Sequence, residues 1–169
     1  VKEISYKKVW NYIHTGSKPA LYADDMEWHI FYSSYTRTYI ERDVKDLTQV
    51  GDEIKFVKFM SSVAARVSQM LNVTAIANDV GISVTTADRW LSILQASNII
   101  YLLRSFHNNI LKRAIKSPKL YFLDTGLAAY LTRWINSEVL SSGAMSGACF
   151  ENYVIAEVLK SYYNKGMSD

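Results

Sequence analysis

The spacing of apolar residues along the chain predicts a mainly helical fold. It predicts helices over residues 5–13 and 28–50, and the Gly-Ser-Lys-Pro sequence at 16–19 marks a turn between them. The most regular stripe follows, with i, i+3, i+4, i+7 spacing: Phe56, Phe59, Met60, Val63, Val67, Met70 and Leu71. The last predicted elements are a short helix at 126–134, a small-residue loop at 141–147 and a helix at 150–163.

Residues 73–94 have the spacing of a helix-turn-helix. Ala77 lies four residues before Gly81, and helices that cross at a sharp angle need a small residue at the crossing and a glycine that can take a positive φ in the turn. Ser83 is placed to cap the second helix. One face of that helix is apolar: Ala87, Trp90, Leu91 and Leu94. A recognition helix would present the opposite face: Thr85, Thr86, Asp88, Arg89 and Ser92.

Two short apolar runs after the helix-turn-helix predict a long β-hairpin. The first covers residues 99–103 and is β-branched at its start, and the second begins at Lys119. Pro118 restricts Ser117 to an extended conformation and marks the entry to the second strand. Asp124 then precedes a short helix, where a carboxylate is expected to cap free N–H groups rather than act as a catalytic acid. A helix-turn-helix followed by such a hairpin is a winged helix.

Charge is unevenly distributed along the chain, although the formal net charge is only +3. Residues 89–123 contain six Lys or Arg and no Asp or Glu, and such a block creates a local positive potential that attracts phosphate. We therefore expect nucleic-acid contacts from the recognition helix and the wing: Thr85, Thr86, Arg89, Lys112, Arg113, Lys116 and Lys119. Because Asp88 would repel the phosphate backbone, binding is expected to be mainly electrostatic, sensitive to salt and weak in sequence readout. The alternative is a winged helix used only for packing or oligomerisation.

Other residue types give little sign of chemistry. The single cysteine, Cys149, has no partner with metal-ligand spacing and is expected to be a small packing residue. The three histidines lie far apart in the sequence, so no metal site and no catalytic residue is predicted. The tyrosines at 32, 35 and 39, with Trp10 and Trp28, are expected to pack in the core rather than stack on nucleobases. The longest apolar run is five residues, at 99–103, which predicts no membrane span and a cytoplasmic location.

Four sequence segments match those of a known family and occur in the same order: residues 39–44 (YIERDV), 86–94 (TADRWLSIL), 116–127 (KSPKLYFLDTGL) and 150–157 (FENYVIAE). The chain thereby resembles the uncharacterised C-terminal domain that follows an AAA-superfamily ATPase core in many bacterial and archaeal proteins. The resemblance implies an ATPase upstream, a winged helix and the start of a nuclease-like fold. On this basis residues 1–54 are expected to be a helical linker or lid region, 55–125 the winged helix, and 126–169 a C-terminal helical segment.

The chain differs in its motifs from the family's complete proteins, which contain an ATPase core. It has no G-x-x-x-x-G-K-[ST] sequence, so this chain is not expected to be an enzyme or to bind a cofactor, and ATP with Mg²⁺ is expected only in the upstream domain. Of the acidic residues in a nuclease-like site, only one could be matched here, to Glu151. The expected function is a non-catalytic winged-helix module that binds DNA non-specifically.

A second function fits the same chain. The high aromatic content favours interfaces as well as cores, so the module could instead be a regulatory domain that docks on the ATPase core or mediates self-association. A nuclease activity of the full-length protein is the third and least favoured expectation.

Overall fold

The computed structural model describes residues 5–23, 26–44, 53–106 and 117–167. Within these ranges the chain is mainly helical, with a small antiparallel sheet of two strands. The first half contains α1 (Tyr6–Thr15), α2 (Ala20–Ala23), α3 (Trp28–Tyr39), α4 (Glu53–Ala64), α5 (Val73–Val80) and α6 (Val84–Ala96). The second half contains β1 (Ile100–Leu103), β2 (Lys119–Phe122), α7 (Thr125–Leu131), α8 (Ser137–Ser142) and α9 (Ser146–Tyr163).

Several helices begin at a side chain that accepts a backbone N–H of the first turn. Ser83 caps α6 through the N–H of Thr86 at 3.0 Å, and Asp124 caps α7 through that of Leu127 at 2.8 Å. The predicted capping roles of Ser83 and Asp124 are therefore confirmed. Such caps satisfy N–H groups that have no partner inside the helix.

The centre of the molecule is formed by α4, α5 and α6. Gly81 joins α5 to α6 with φ of 74°, and its N–H donates to the carbonyl of Ala77 at 2.9 Å. This left-handed turn is the one that the glycine spacing predicts. The rings of Phe56 and Phe59 from α4 pack edge-on against Trp90 of α6, with centroids 5.1 and 5.3 Å apart. These contacts hold α6 by its apolar face.

The two strands pair antiparallel, with Ile100 opposite Phe122 and Leu103 opposite Lys119. A third segment lies along the other edge of β2, because Met70 forms an isolated bridge with Lys119 and the N–H of Leu120 donates to the carbonyl of Gln69. The predicted stripe from 56 to 71 is therefore helical only up to Ala64. Beyond it, Ser68 has φ of 62° and the chain turns out of the helix to pair with β2.

The N-terminal helices pack against α7 and α8, and their aromatic residues lie in the core as predicted. Tyr32 is fully buried and Tyr39 nearly so, while Tyr35 is half-buried. The predicted helix over 28–50 is regular only to Tyr39, and residues 40–44 form a π-helical turn. The rest of that prediction lies outside the described residues.

The prediction was least accurate near the C-terminus. The segment 141–147 is not one loop, because α8 runs through Ser142 and α9 begins at Ser146. Asn136 caps α8 and Leu140 is fully buried, so local capping and burial override the small-residue composition. α7 ends at Leu131 rather than 134, because Arg133 has φ of 61°. No helix in the described ranges is long and apolar enough to cross a bilayer.

Candidate nucleic-acid interface

The outward face of α6 is the part of the predicted interface that the structure describes best. Thr85 and Arg89 are exposed, one helical turn apart, on the side opposite the buried Trp90 and Leu94. Thr86 is half-buried, and its hydroxyl lies 2.8 Å from that of Ser83. Thr86 therefore serves mainly the helix cap, and Thr85 and Arg89 are the predicted contact residues on α6 that face outward.

An acidic and a polar side chain share this face of α6. Asp88 is exposed beside Arg89, so the local charge of the helix is close to balanced. The hydroxyl of Ser92 donates to the backbone carbonyl of Asp88 at 3.0 Å. The helix itself thus offers little net positive charge to a phosphate.

A polar bridge fixes α5 against α4. The guanidinium of Arg66 lies 2.6 Å from Asp79 and also donates to the carbonyl of Ser62, whose hydroxyl donates to Asp79. The hydrogen bond from Ser62 and then that from Arg66 lower the pKa of the exposed Asp79 carboxyl. This bridge links α5 to the end of α4 at the surface.

The basic residues of the hairpin are described only at its base. Arg104 is exposed just after β1. Lys112, Arg113 and Lys116 lie outside the described residues, so the wing prediction for them stays a prediction. The structure does place Lys119 at the start of β2, next to the edge segment at Met70.

Lys119 is engaged by a carboxylate that sequence reasoning did not connect with it. Its ammonium lies 2.8 Å from Oε1 of Glu151 on α9, and the Tyr121 hydroxyl donates to the same oxygen at 2.6 Å. The hydrogen bonds from Lys119 and then Tyr121 lower the pKa of Glu151, whereas burial and then the bond to Glu151 raise that of Tyr121. The 32 residues that separate the partners leave no local sequence signal for this pair. A phosphate would have to compete with Glu151 for Lys119.

Asp124 is part of a larger hydrogen-bond network than its capping role predicts. Its carboxylate accepts from the N–H and the hydroxyl of Ser17 at 2.9 and 3.0 Å, and from Tyr32 at 2.6 Å, as well as from Leu127. A Cβ at Gly126 would collide with the backbone carbonyl of Thr15 and with the Tyr32 hydroxyl. Asp124 therefore ties α7 to the turn after α1 and to α3, which is a structural role.

The described residues hold no cluster of three or more His, Cys, Asp or Glu that could bind a metal. Nε2 of His14 lies 2.8 Å from the carbonyl of Trp134, and it carries the proton because a carbonyl only accepts. Cys149 is buried, as predicted, and burial raises the pKa of its thiol to about 11. A thiol with so high a pKa is a poor nucleophile.

Comparisons with known proteins give a family without a described activity. A family model described as "Domain of unknown function (DUF8612)" matches residues 6–138. Two uncharacterized proteins, one of Mycobacterium bovis and one of Mycobacterium tuberculosis, are each 28% identical to the chain over 138 residues, covering 80% of this chain and 30% of each relative. The chain thus spans about a third of the length of these curated relatives. None of these descriptions names an ATPase or a nuclease. No solved structure matches the chain.

Proposed function

We propose that this chain, which belongs to the DUF8612 family, is a non-catalytic winged-helix module that binds double-stranded DNA mainly through its phosphates. The observation that carries the proposal is the outward face of α6, which exposes Thr85 and Arg89 and is followed by the antiparallel strands β1 and β2. Both strands belong to the stretch 89–123, which contains six basic residues and no acidic one. A helix in this position of a helix-turn-helix enters the major groove while basic residues nearby hold the backbone.

The order of elements supports the winged-helix interpretation. α4, α5 and α6 are followed by β1 and β2, and Met70 bridges to β2 between α4 and α5. One short strand after the first helix and a hairpin after the third are the arrangement that this fold requires. The polar bridge from Arg66 to Asp79 links α5 to the end of α4, and Phe56 and Phe59 of α4 pack against Trp90 of α6. The face of α6 is therefore presented on a packed support.

The charge distribution favours phosphate contact over base readout. Arg89 is beside Asp88 on α6, which limits the helix to few direct base contacts. Arg104 and the wing residues Lys112, Arg113 and Lys116 add positive charge without any intervening acid in the sequence. Lys119 contributes less, because Glu151 already neutralises it. Affinity should therefore fall steeply with salt and change little with DNA sequence.

Fluorescence anisotropy with a labelled duplex over a salt series tests the proposal. Replacement of Lys112, Arg113 and Lys116 by Ala should lower the slope of log affinity against log salt by about 3, because each phosphate contact releases about 0.9 counterions. The matched control removes three lysines from α1 and α9: Lys7, Lys8 and Lys160. The control has the same net charge as the wing variant and should keep most of the slope. Absence of binding at low salt, or equal losses in both variants, would overturn the proposal.

We further propose that an AAA-type ATPase core precedes this module in the full-length protein. The support is the resemblance of four sequence segments between residues 39 and 157 to the domain that follows such ATPase cores. The sequence encoded upstream of residue 1 tests this directly: a G-x-x-x-x-G-K-[ST] motif is expected there, and its absence would refute the assignment.

A further inference from the structure

The exposed side of α9 carries an apolar ridge. Its four residues follow each other at intervals of four and are 43–53% exposed: Phe150, Val154, Val158 and Tyr162. The opposite side of α9 is buried through Cys149, Asn152 and Ala156. A helix that is apolar on both sides is usually covered on both sides. The ridge therefore has the character of a contact surface.

A groove of similar length lies between α3 and α4 and has α7 as its floor. It consists of two hollows of about 690 and 310 Å³ that share Val57, Tyr130 and Leu131. Its wall on α3 runs from Trp28 to Thr36 and on to Ile40. Large apolar side chains are exposed along it, among them Ile54 at 72% and Ile135 at 75%. Among the described residues, none from α9 lines either hollow, so the ridge and the groove are separate surfaces.

The two surfaces are matched in size. From Phe150 to Tyr162 the ridge is 13 residues long, and its first and last Cα atoms are about 18 Å apart at the helical rise of about 1.5 Å per residue. The α3 wall of the groove from Trp28 to Ile40 spans the same number of residues and about the same length. Ridges of one helix pack into the space between neighbouring residues of another, with axes about 8–10 Å apart. The α9 ridge is therefore as long as the α3 wall of the groove.

The charges around both surfaces permit the contact. The groove carries one acidic and one basic residue at each end, Glu27 with Arg133 and Arg37 with Glu53. Glu157, beside the ridge, is already paired with Lys160 at 2.8 Å. Neither surface brings an excess of one charge, so net charge repulsion does not oppose docking.

We propose that the chain associates with itself head to tail, the α9 ridge of one copy lying in the α3–α4 groove of the next. Such a contact joins two different surfaces, so each copy keeps one free groove or one free ridge and assembly continues until a ring closes or a chain forms. The contact covers an area about one helix wide and three turns long, at the small end of specific interfaces. Association is therefore expected to be weak and dependent on concentration, and it does not depend on the proposed DNA binding.

Sedimentation velocity of the whole 169-residue chain from about 5 to about 500 μM measures the association, a range that covers weak complexes. The weight-average mass should rise from the monomer value of 19.3 kDa to at least twice that. Val158→Glu should abolish the rise by blocking the ridge, and Val57→Glu should abolish it by blocking the groove. Val139→Glu, at an exposed position of α8 outside both surfaces, is the matched control and should associate like the wild type. Circular dichroism checks that all three variants fold.

Mixing the two blocked variants provides the decisive arm. Val158→Glu retains a groove and Val57→Glu retains a ridge, so an equimolar mixture should form a 1:1 dimer that does not grow further. A mixture that stays monomeric would overturn the head-to-tail contact. Dimerisation of Val57→Glu by itself would also overturn it, because that is the result of a symmetric ridge-to-ridge dimer. A wild type that remains monomeric at all concentrations would likewise overturn it. Loss of association in Val139→Glu would show a non-specific charge effect and count against the proposal.

Discussion

Replacement of Asp124 by Ala removes the carboxylate that joins three separate parts of the fold. Four hydrogen bonds are lost, from the N–H and hydroxyl of Ser17, from Tyr32 and from Leu127. Ser17 is exposed, so water can replace the carboxylate for both of its donors. Leu127 is 1% exposed, so its N–H is left without a partner. The buried Tyr32 hydroxyl loses its bond to the carboxylate and keeps only the longer one to the carbonyl of Thr15, at 3.1 Å. The loss should therefore come from these two groups.

The size of the effect follows from that division. A buried donor left without a partner costs about 1–3 kcal/mol, here the N–H of Leu127 at the lost helix cap, and loss of the Tyr32 bond to the carboxylate adds about 1–2 kcal/mol. The free energy of unfolding should thus fall by about 2–5 kcal/mol, which lowers Tm by about 10 °C in a chain of this length. Urea unfolding monitored by circular dichroism measures it, with the slope against denaturant unchanged.

Asp79→Ala is the matched control, because its carboxylate also accepts two side-chain hydrogen bonds but is exposed. It should cost clearly less than Asp124→Ala, because solvent screens an exposed ion pair. Tyr32→Phe removes only one of the donors and should cost about 1–2 kcal/mol. A loss at Asp124 no larger than at Asp79 would refute the assignment of Asp124 as a structural tie.

Substitutions at four other positions test a close backbone approach, a helix cap, a buried histidine and the pair of Lys119 with Glu151. Gly126→Ala should lower the free energy of unfolding by more than about 2 kcal/mol, because the added Cβ meets the backbone of Thr15. Thermal or urea unfolding measures the loss, and near-wild-type stability would contradict that close approach. Ser83→Ala should cost about 1 kcal/mol in the same assay through loss of the α6 cap, whereas no change would mean that the cap adds nothing. Burial lowers the pKa of His14, so the unfolded chain binds a proton at a higher pH than the folded chain does. The free energy of unfolding should therefore fall as the pH drops from about 7.5 to about 5.5. His14→Gln should reduce this pH dependence, and an unaltered dependence would assign it to other groups. Glu151→Gln should strengthen duplex binding, because Lys119 is released for phosphate. The slope of log affinity against log salt should steepen by up to about 0.9. A weaker complex would argue against competition between Glu151 and phosphate.

Local signals in the sequence were sufficient for the helix-turn-helix. The position of Gly81 requires a positive φ, Ser83 has the short polar side chain of a cap, and the apolar face around Trp90 has helical period. Each of these depends on residues within one or two turns. The strand pair was predictable for the same reason, since Pro118 and the β-branched start of the first run mark its ends.

Features that depend on distant contacts were not predictable from the sequence. The edge segment at Met70 looked helical because its apolar residues continue the α4 stripe, and only pairing with β2 decides its conformation. The same applies to the bond between Lys119 and Glu151 and to the network of Asp124 with Tyr32, which joins residues 92 positions apart. Local pattern gives the element type, whereas these contacts arise from the tertiary packing.

Contact between the α6 face and DNA can be located by ¹H–¹⁵N NMR spectra of the backbone amides, recorded during titration with a short duplex at low salt. We expect the largest chemical-shift changes at the amides of Thr85, Arg89 and Ser92 and near Arg104, with little change along α9. The free spectrum should return as the salt concentration is raised. Unchanged spectra at low salt, or changes concentrated on α9 or in the α3–α4 groove, would refute DNA binding by the α6 face.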